Sequence, residues 1–334
     1  MNTPPFKPPL YLRNPHLQTL WQPLFRKGQG LPWLTEQVPT HDGDYVHLSL
    51  TQGEKNQPLV FFVHGLEGTI NAPMIRGVGG MMMKLGWRVA AINLRGCGVE
   101  NKNPRLYHAG DAPDVHAALQ RIVEIAQPST IHTIGLSLGG NILVNWLVDY
   151  QAKIASGEIP VVSSALISSP HVLAKSVVFT EKALFGLYQK ALLRTMKKNL
   201  QRKSLQFPDH ENAELILKVS KLRDYDEYFT APQNGFSNAQ DYYEKTSSLT
   251  KLSQISVPSL YLYAMDDPIV PPSAVPLEWK DHQNPRLKLV LTKYGGHIGW
   301  VARRHGRTYY WADLLLEKWL MEQQTDYMSK KAAA

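Results

Sequence analysis

Cysteine is almost absent from this 334-residue chain. The single thiol, Cys97, excludes an intramolecular disulfide framework and a multi-cysteine zinc site, and it suits a reducing compartment, so the expected location is cytoplasmic. Charged residues make up only 19% against 43% hydrophobic, which excludes a disordered or low-complexity chain and leaves ample material for a core. The opening MNTPPFKPPLYLRNPHLQTL has several prolines and no continuous apolar stretch that would serve as a signal-peptide core or span a bilayer, so secretion and integral insertion are not expected. Zinc-finger spacing, a glycine-rich RNA-binding pattern and aromatic-basic alternation are also missing. The net charge of +8 is therefore not read as nucleic-acid binding; solubility or attraction to an anionic lipid surface accounts for it.

What is present is a regular alternation. Apolar runs of strand length occur at Tyr45 to Leu50, Pro58 to Val63, Trp87 to Ile92, Ile131 to Leu136, Val161 to Ile167, Ser259 to Tyr263 and Leu287 to Leu291. Several, such as Leu59-Val60-Phe61-Phe62-Val63, are continuously hydrophobic, as strands covered on both faces of a mostly parallel sheet must be. Helix-length segments separate them. One starts at Pro73 and stops at Gly86, and another follows Gly139 through Ile142, Leu143, Trp146 and Leu147. This is the α/β class. A chain of this length fits one core with an insertion, here residues 1–168 and 255–334 (with an N-terminal extension over 1–38), interrupted by a helical cap over 169–254. In the cap, Leu184, Leu187, Tyr188, Ala191, Leu192 and Met196 recur at helical spacing. The basic residues Lys190, Arg194, Lys197, Lys198, Arg202 and Lys203 either clothe a helix packed on the core or dock it on anionic lipid. The aromatic-rich stretch from Tyr225 to Tyr243 either lines a substrate channel or fills space.

The chemistry concentrates at the ends of the strands. Gly135-Leu136-Ser137-Leu138-Gly139 fits G-x-S-x-G with a strand before it and a helix after it, the context of a nucleophile elbow. Ser137 is the candidate nucleophile, and the Leu138 amide at the start of the helix is a candidate oxyanion donor. A serine hydroxyl needs a base, and His297, in Tyr294-Gly295-Gly296-His297-Ile298-Gly299 after the last strand, is the histidine with a suitable position. A carboxylate must fix that imidazole. Asp267, at the end of the preceding strand and held extended by Pro268, is preferred over Asp266, which is read as a turn cap. The chain order Ser, Asp, His is the α/β-hydrolase order. The second oxyanion donor should come from the loop His64-Gly65-Leu66-Glu67-Gly68, with the Leu66 amide chosen by position. There His64 is read as a buried structural residue and Glu67 as a loop-closing carboxylate. Cys97 is read as a small buried residue. Asp111 and Asp114 suggest a metal at first sight, but a helix-start cap at Asp114 is the more economical account.

Together, Asn14-Pro15-His16-Leu17-Gln18-Thr19, the His64 to Gly68 loop, Gly135 to Asn141, Asp266-Asp267-Pro268 and Tyr294 to Gly299 resemble the YheT-like branch of the α/β hydrolases, from about residue 10 to about residue 320. The resemblance implies a carboxylic-ester hydrolase fold with a charge relay at Ser137, Asp267 and His297. It also implies substrates among short-chain esters, acylglycerols or phospholipids, and in some relatives acyl transfer to alcohols. The expected function is a serine-dependent ester hydrolase working through an acyl-enzyme on a small-molecule ester or lipid. It needs no metal or organic cofactor, takes no nucleic-acid partner and makes at most weak peripheral contact with an anionic membrane. An alcohol acyltransferase and a non-catalytic binding protein on the same fold are the rival readings.

Overall fold

The computed structural model describes residues 5–207, 213–277, 284–304 and 306–333. Ten strands are present among them: β1 (Trp33–Pro39), β2 (Tyr45–Thr51), β3 (Leu59–Val63), β4 (Arg88–Asn93), β5 (Ile131–Leu136), β6 (Val161–Ile167), β7 (Ser259–Ala264), β8 (Leu287–Thr292), β9 (Val301–Arg304) and β10 (Arg307–Tyr310). The first eight form one sheet in the order β1-β2-β4-β3-β5-β6-β7-β8. Its β1-β2 and β2-β4 pairs are antiparallel and the rest parallel.

The helices are α1 (Pro15–Phe25), α2 (Pro73–Lys84), α3 (Ala112–Ala126), α4 (Leu138–Asp149), α5 (Gln151–Ala155), α6 (Leu173–Lys182), α7 (Leu187–Gln206), α8 (Ala213–Lys218), α9 (Leu222–Tyr225), α10 (Ala231–Gln233), α11 (Ala239–Thr246) and α12 (Trp311–Ala333). Strand β3 shows why the central runs are apolar throughout. Phe61 and Val63 face a core shared with α3 and α4, while Val60 and Phe62 face a second core shared with α2 and α12. Burying a side chain of this size contributes roughly 1.5–3 kcal/mol, and the sheet does so on both faces. Helices α6 to α11 are inserted between β6 and β7. Among the described residues, no helix is long and apolar enough to cross a membrane.

Three local expectations need correction. Helix α3 starts at Ala112, so Asp114 lies inside its first turn and caps nothing. Asp114 is buried against Arg95, with Oδ2 accepting from Arg95 Nε at 2.7 Å; Asp111 accepts from the His108 amide and from Arg105. Both carboxylates are paired with guanidinium groups, Asp114 with Arg95 and Asp111 with Arg105. The helical spacing from Leu184 is interrupted. Leu184 and Phe185 take left-handed φ values of 47° and 54°, so α6 and α7 are separate helices joined at Gly186. The basic residues of α7 divide in two. Lys190, Arg194 and Lys198 are exposed, whereas Lys203 is buried and donates to the Asn101 carbonyl, Lys197 donates to the Val219 carbonyl and Arg202 pairs with Glu100. The Tyr225 to Tyr243 stretch supplies buried packing through Tyr225, Phe229, Tyr242 and Tyr243.

Candidate active site

Strand β5 runs straight into Ser137, whose backbone sits at φ 49°, ψ −123° before α4 begins at Leu138. A non-glycine residue with this backbone is strained by about 1–3 kcal/mol, and such strain persists where the surroundings over-determine it. The flanking glycines do this by close approach. A Cβ on Gly135 would lie 2.4 Å from Gly140 Cα, and one on Gly139 would lie 2.3 Å from the Val63 carbonyl oxygen. The tight turn thrusts the Ser137 hydroxyl off the C-terminal edge of the sheet.

His297 reaches it from the loop after β8. Its Nε2 is 3.0 Å from Ser137 Oγ, and its Nδ1 is 2.8 Å from Asp267 Oδ2. An ionised carboxylate only accepts, so the proton belongs on Nδ1 and Nε2 is free to accept from the serine. Asp267 is itself fixed by the amides of Ile269 and Val270, which donate to its Oδ1 at 2.8 and 2.9 Å. Asp266 points elsewhere: its Oδ1 accepts from the Gly296 amide at 2.8 Å, and burial, opposed by backbone hydrogen bonds and reinforced by Asp267, pushes its carboxyl up to about 6. Ser137, Asp267 and His297, distant in the chain, are thus brought into one hydrogen-bonded line.

Leu66 and Leu138 both line the cavity beside Ser137. The α4 helix leaves the amide of its first residue, Leu138, without an intrahelical acceptor, and the Leu66 amide donates to no acceptor among the described residues. The Leu66 loop is held by its own polar groups. His64 is buried; its Nδ1 donates to the Gly65 carbonyl and its Nε2 accepts from the Leu94 amide. Burial pulls its pKa down to about 4, which keeps it neutral for that task. Glu67, at φ 54°, accepts from Tyr107 Oη at 3.0 Å and from Asn199 Nδ2 of α7 at 2.7 Å. Burial, opposed by Tyr107 and Arg202, pushes Glu67 up to about 7. Cys97 is buried nearby, its thiol pushed up by the same cause.

The cavity over Ser137 measures about 320 Å³ and is walled largely by Met74, Leu173, Val177, Leu192, Leu222 and Ile269. Sequence reasoning did not assign this aliphatic wall to the site, nor Thr19 and Gln22 of α1, which also line the cavity; for Thr19 the Asn14 to Thr19 motif was the available signal.

An apolar cavity with a serine, an imidazole and a carboxylate at its floor is a constellation found on many chains of this topology, and the sequence profile of the alpha/beta hydrolase fold matches residues 58–300. This chain belongs to the α/β-hydrolase family. Within it the chain falls in the YheT-like branch. It is 30% identical to the Escherichia coli (strain K12) protein named "Putative esterase YheT", over 96% of this chain and 92% of that one. The human protein "Phospholipase ABHD3" is 26% identical over 85% of this α/β hydrolase and 70% of its own length. A Saccharomyces cerevisiae protein, "Medium-chain fatty acid ethyl ester synthase/esterase 2", is 29% identical over 75% and 59%. Among solved structures, the Pyrococcus furiosus esterase Pf2001 superposes with a TM-score of 0.52 at 16% identity, covering 89% of this chain and 91% of that one; this likeness concerns the fold alone. These relatives carry the names of esterases and a phospholipase, and membership of this hydrolase family supports hydrolase activity for the chain.

Proposed function

We propose that this protein is a serine-dependent carboxylic-ester hydrolase whose triad is Ser137, His297 and Asp267. The observation that carries the reading is the continuous line Ser137 Oγ, His297 Nε2, His297 Nδ1, Asp267 Oδ2, with contacts of 3.0 and 2.8 Å at the floor of an apolar cavity. An ester enters with its acyl chain among the cavity's aliphatic side chains. His297 Nε2 takes the Ser137 proton as Oγ bonds to the carbonyl carbon. The negative charge that develops on the carbonyl oxygen is met by the Leu66 and Leu138 amides and by the positive end of α4. His297 then passes its proton to the departing alkoxide, leaving acyl-Ser137. Water, deprotonated by the same imidazole, releases the acid and restores the serine. Asp267 holds the Nδ1-H tautomer and stabilises the imidazolium in both halves of the cycle.

The test is Ser137→Ala assayed on p-nitrophenyl esters, with circular dichroism to check the fold. Turnover should fall by about 10⁴-fold or more, and a fluorophosphonate should label the wild type and spare the variant. A folded variant that keeps wild-type turnover would overturn the assignment. Acyl transfer to an alcohol is a second reading, favoured by the name of the yeast relative; added ethanol would then divert product from acid to ethyl ester.

A further inference from the structure

We infer that α1 is a positioning element of the active site: Gln18, Thr19 and Gln22 hold the loop Gly295 to Val301 in the shape that aims His297 at Ser137. The inference rests on the triad reading above and adds to it residues that act on the reacting atoms through the His297 loop, two of which, Thr19 and Gln22, also border the cavity.

The loop is bound to one helix face almost group by group. Thr19 Oγ1 accepts from the His297 amide at 2.9 Å and donates to the Pro15 carbonyl at 2.7 Å. Gln22 Nε2 donates to the carbonyls of Ile298 and Gly299 at 2.7 and 2.8 Å. Gln18 brackets Val301, its Oε1 accepting from the amide at 2.8 Å and its Nε2 donating to the carbonyl at 3.0 Å. Other amides of the loop are satisfied away from α1: Gly296 donates to Asp266 Oδ1 at 2.8 Å and Ile298 to Ser168 Oγ at 3.4 Å, while Gly299 and Trp300 donate to the Gly295 carbonyl. The amide orientations are determined by chemistry as well as distance. Arg26 Nη1 donates to Gln22 Oε1 at 2.7 Å, and a guanidinium can only donate, so Gln22 must present Nε2 to the loop. Arg26 in turn is anchored to Asp313 of α12.

Without such restraint the loop has no reason to keep its form. Ile298 and Trp300 are non-glycine residues at φ 56° and 46°, a region that L residues leave unless neighbouring contacts hold them there. The glycines mark how near α1 comes: a Cβ on Gly296 would lie 2.5 Å from the Pro15 carbonyl oxygen, and one on Gly299 would lie 2.5 Å from that of Gln18. The motif at the start of the chain now resolves into parts. Asn14 caps α1 by accepting from the His16 and Leu17 amides, Pro15 opens the helix, and Gln18, Thr19 and Gln22 follow at positions i, i+1 and i+4 on the face turned to the loop.

The experiment compares Thr19→Val, Thr19→Ser and Gln22→Met with Ser137→Ala and with Leu24→Ser, a change on the exposed outer face of α1, at a temperature well below each variant's Tm. Misplacing a catalytic group by about 1 Å can cost about 10²-fold in rate. Thr19→Val and Gln22→Met should therefore lower kcat by about 10- to 100-fold, with KM little changed. Thr19→Ser, which keeps the acceptor, should restore kcat, and Leu24→Ser should leave it untouched. The pH profile of kcat/KM should shift in Thr19→Val and return in Thr19→Ser. Wild-type kcat in Thr19→Val and Gln22→Met while Ser137→Ala is inactive overturns the positioning role alone, as does an equal loss in Thr19→Ser and Thr19→Val. Wild-type turnover in Ser137→Ala overturns the triad reading and the inference with it. Should Gln22→Met fail to fold, the Thr19 pair, which differs by little more than one hydroxyl, decides.

Discussion

Asp266 and Asp267 are adjacent in the chain and hold two consecutive residues of one loop by different groups: Asp267 Oδ2 meets His297 Nδ1 at 2.8 Å, and Asp266 Oδ1 meets the Gly296 amide at 2.8 Å. Successive side chains leaving a strand diverge, so a single imidazole receives only one of the two. Asn at either position should separate the roles. Asp267→Asn loses the charge that orients the base, and turnover should fall by about 10⁴-fold. Asp266→Asn keeps an oxygen acceptor for Gly296 and should lose far less. Steady-state kinetics on both folded variants check this; a larger loss in Asp266→Asn would reverse the assignment.

Glu67 carries a pH dependence of stability. Its carboxyl titrates near 7 in the folded protein against an ordinary value of 4.5, so between those pH values the folded state holds a proton that the unfolded state has released. Stability contributed by the protonated form is complete below about pH 4.5 and is lost as pH rises through about 7. Glu67→Gln removes this proton exchange. Its Tm measured relative to wild type should climb from pH 4.5 to 7.5, and a difference that stays flat over that interval would refute the account.

The cavity should set acyl preference. Val177 on α6 is part of its wall, and Val177→Trp fills space that an acyl chain would occupy. The ratio of kcat/KM for octanoyl over acetyl p-nitrophenyl esters should fall by about tenfold or more, with Ser137 still labelled by a fluorophosphonate. An unchanged ratio would place the acyl chain elsewhere.

Lys190, Arg194 and Lys198 form a stripe of spacing four on the exposed side of α7, free of ion pairs among the described residues, and Phe185 at the preceding turn is 95% exposed. Near an anionic bilayer each cation contributes about 1 kcal/mol. Vesicles rich in phosphatidylserine should co-sediment the protein at low salt, and replacement of all three cations by Glu should release it. Equal sedimentation with neutral vesicles would remove the charge argument.

Much of the fold was legible in the sequence because its signals are local. The runs at Ile131–Leu136 and Val161–Ile167 match β5 and β6 residue for residue, since strands buried on both faces admit little but apolar side chains. The turn from strand to helix at Ser137 was legible for the same reason: strand, small residues and helix are contiguous there. Two outlying elements were not, although the edge strand β8 was, the run Leu287 to Leu291 lying within Leu287–Thr292. Strand β1 is largely solvent-facing, with Leu34 and Thr35 exposed, and among the described residues hairpin β9-β10 pairs with no other strand, so neither carries a two-sided burial pattern to read. Helical periodicity ran across the break at Leu184 to Gly186 because period reports which faces are apolar and says nothing of φ. Charge on α7 misled for a related reason: Lys203 is basic by composition but is buried by the Asn101 carbonyl that accepts from it.

Composition, strand and helix periods and the order Ser137, Asp267, His297 are properties of the chain read along its length, and they determined the class of fold and the chemistry to look for. The division of labour between Asp266 and Asp267, the commitment of Asp114 to Arg95 and the grip of Thr19 on His297, 278 residues away, belong to tertiary structure. Each is a directed contact between groups that only the closed sheet and its packed helices bring within hydrogen-bonding distance.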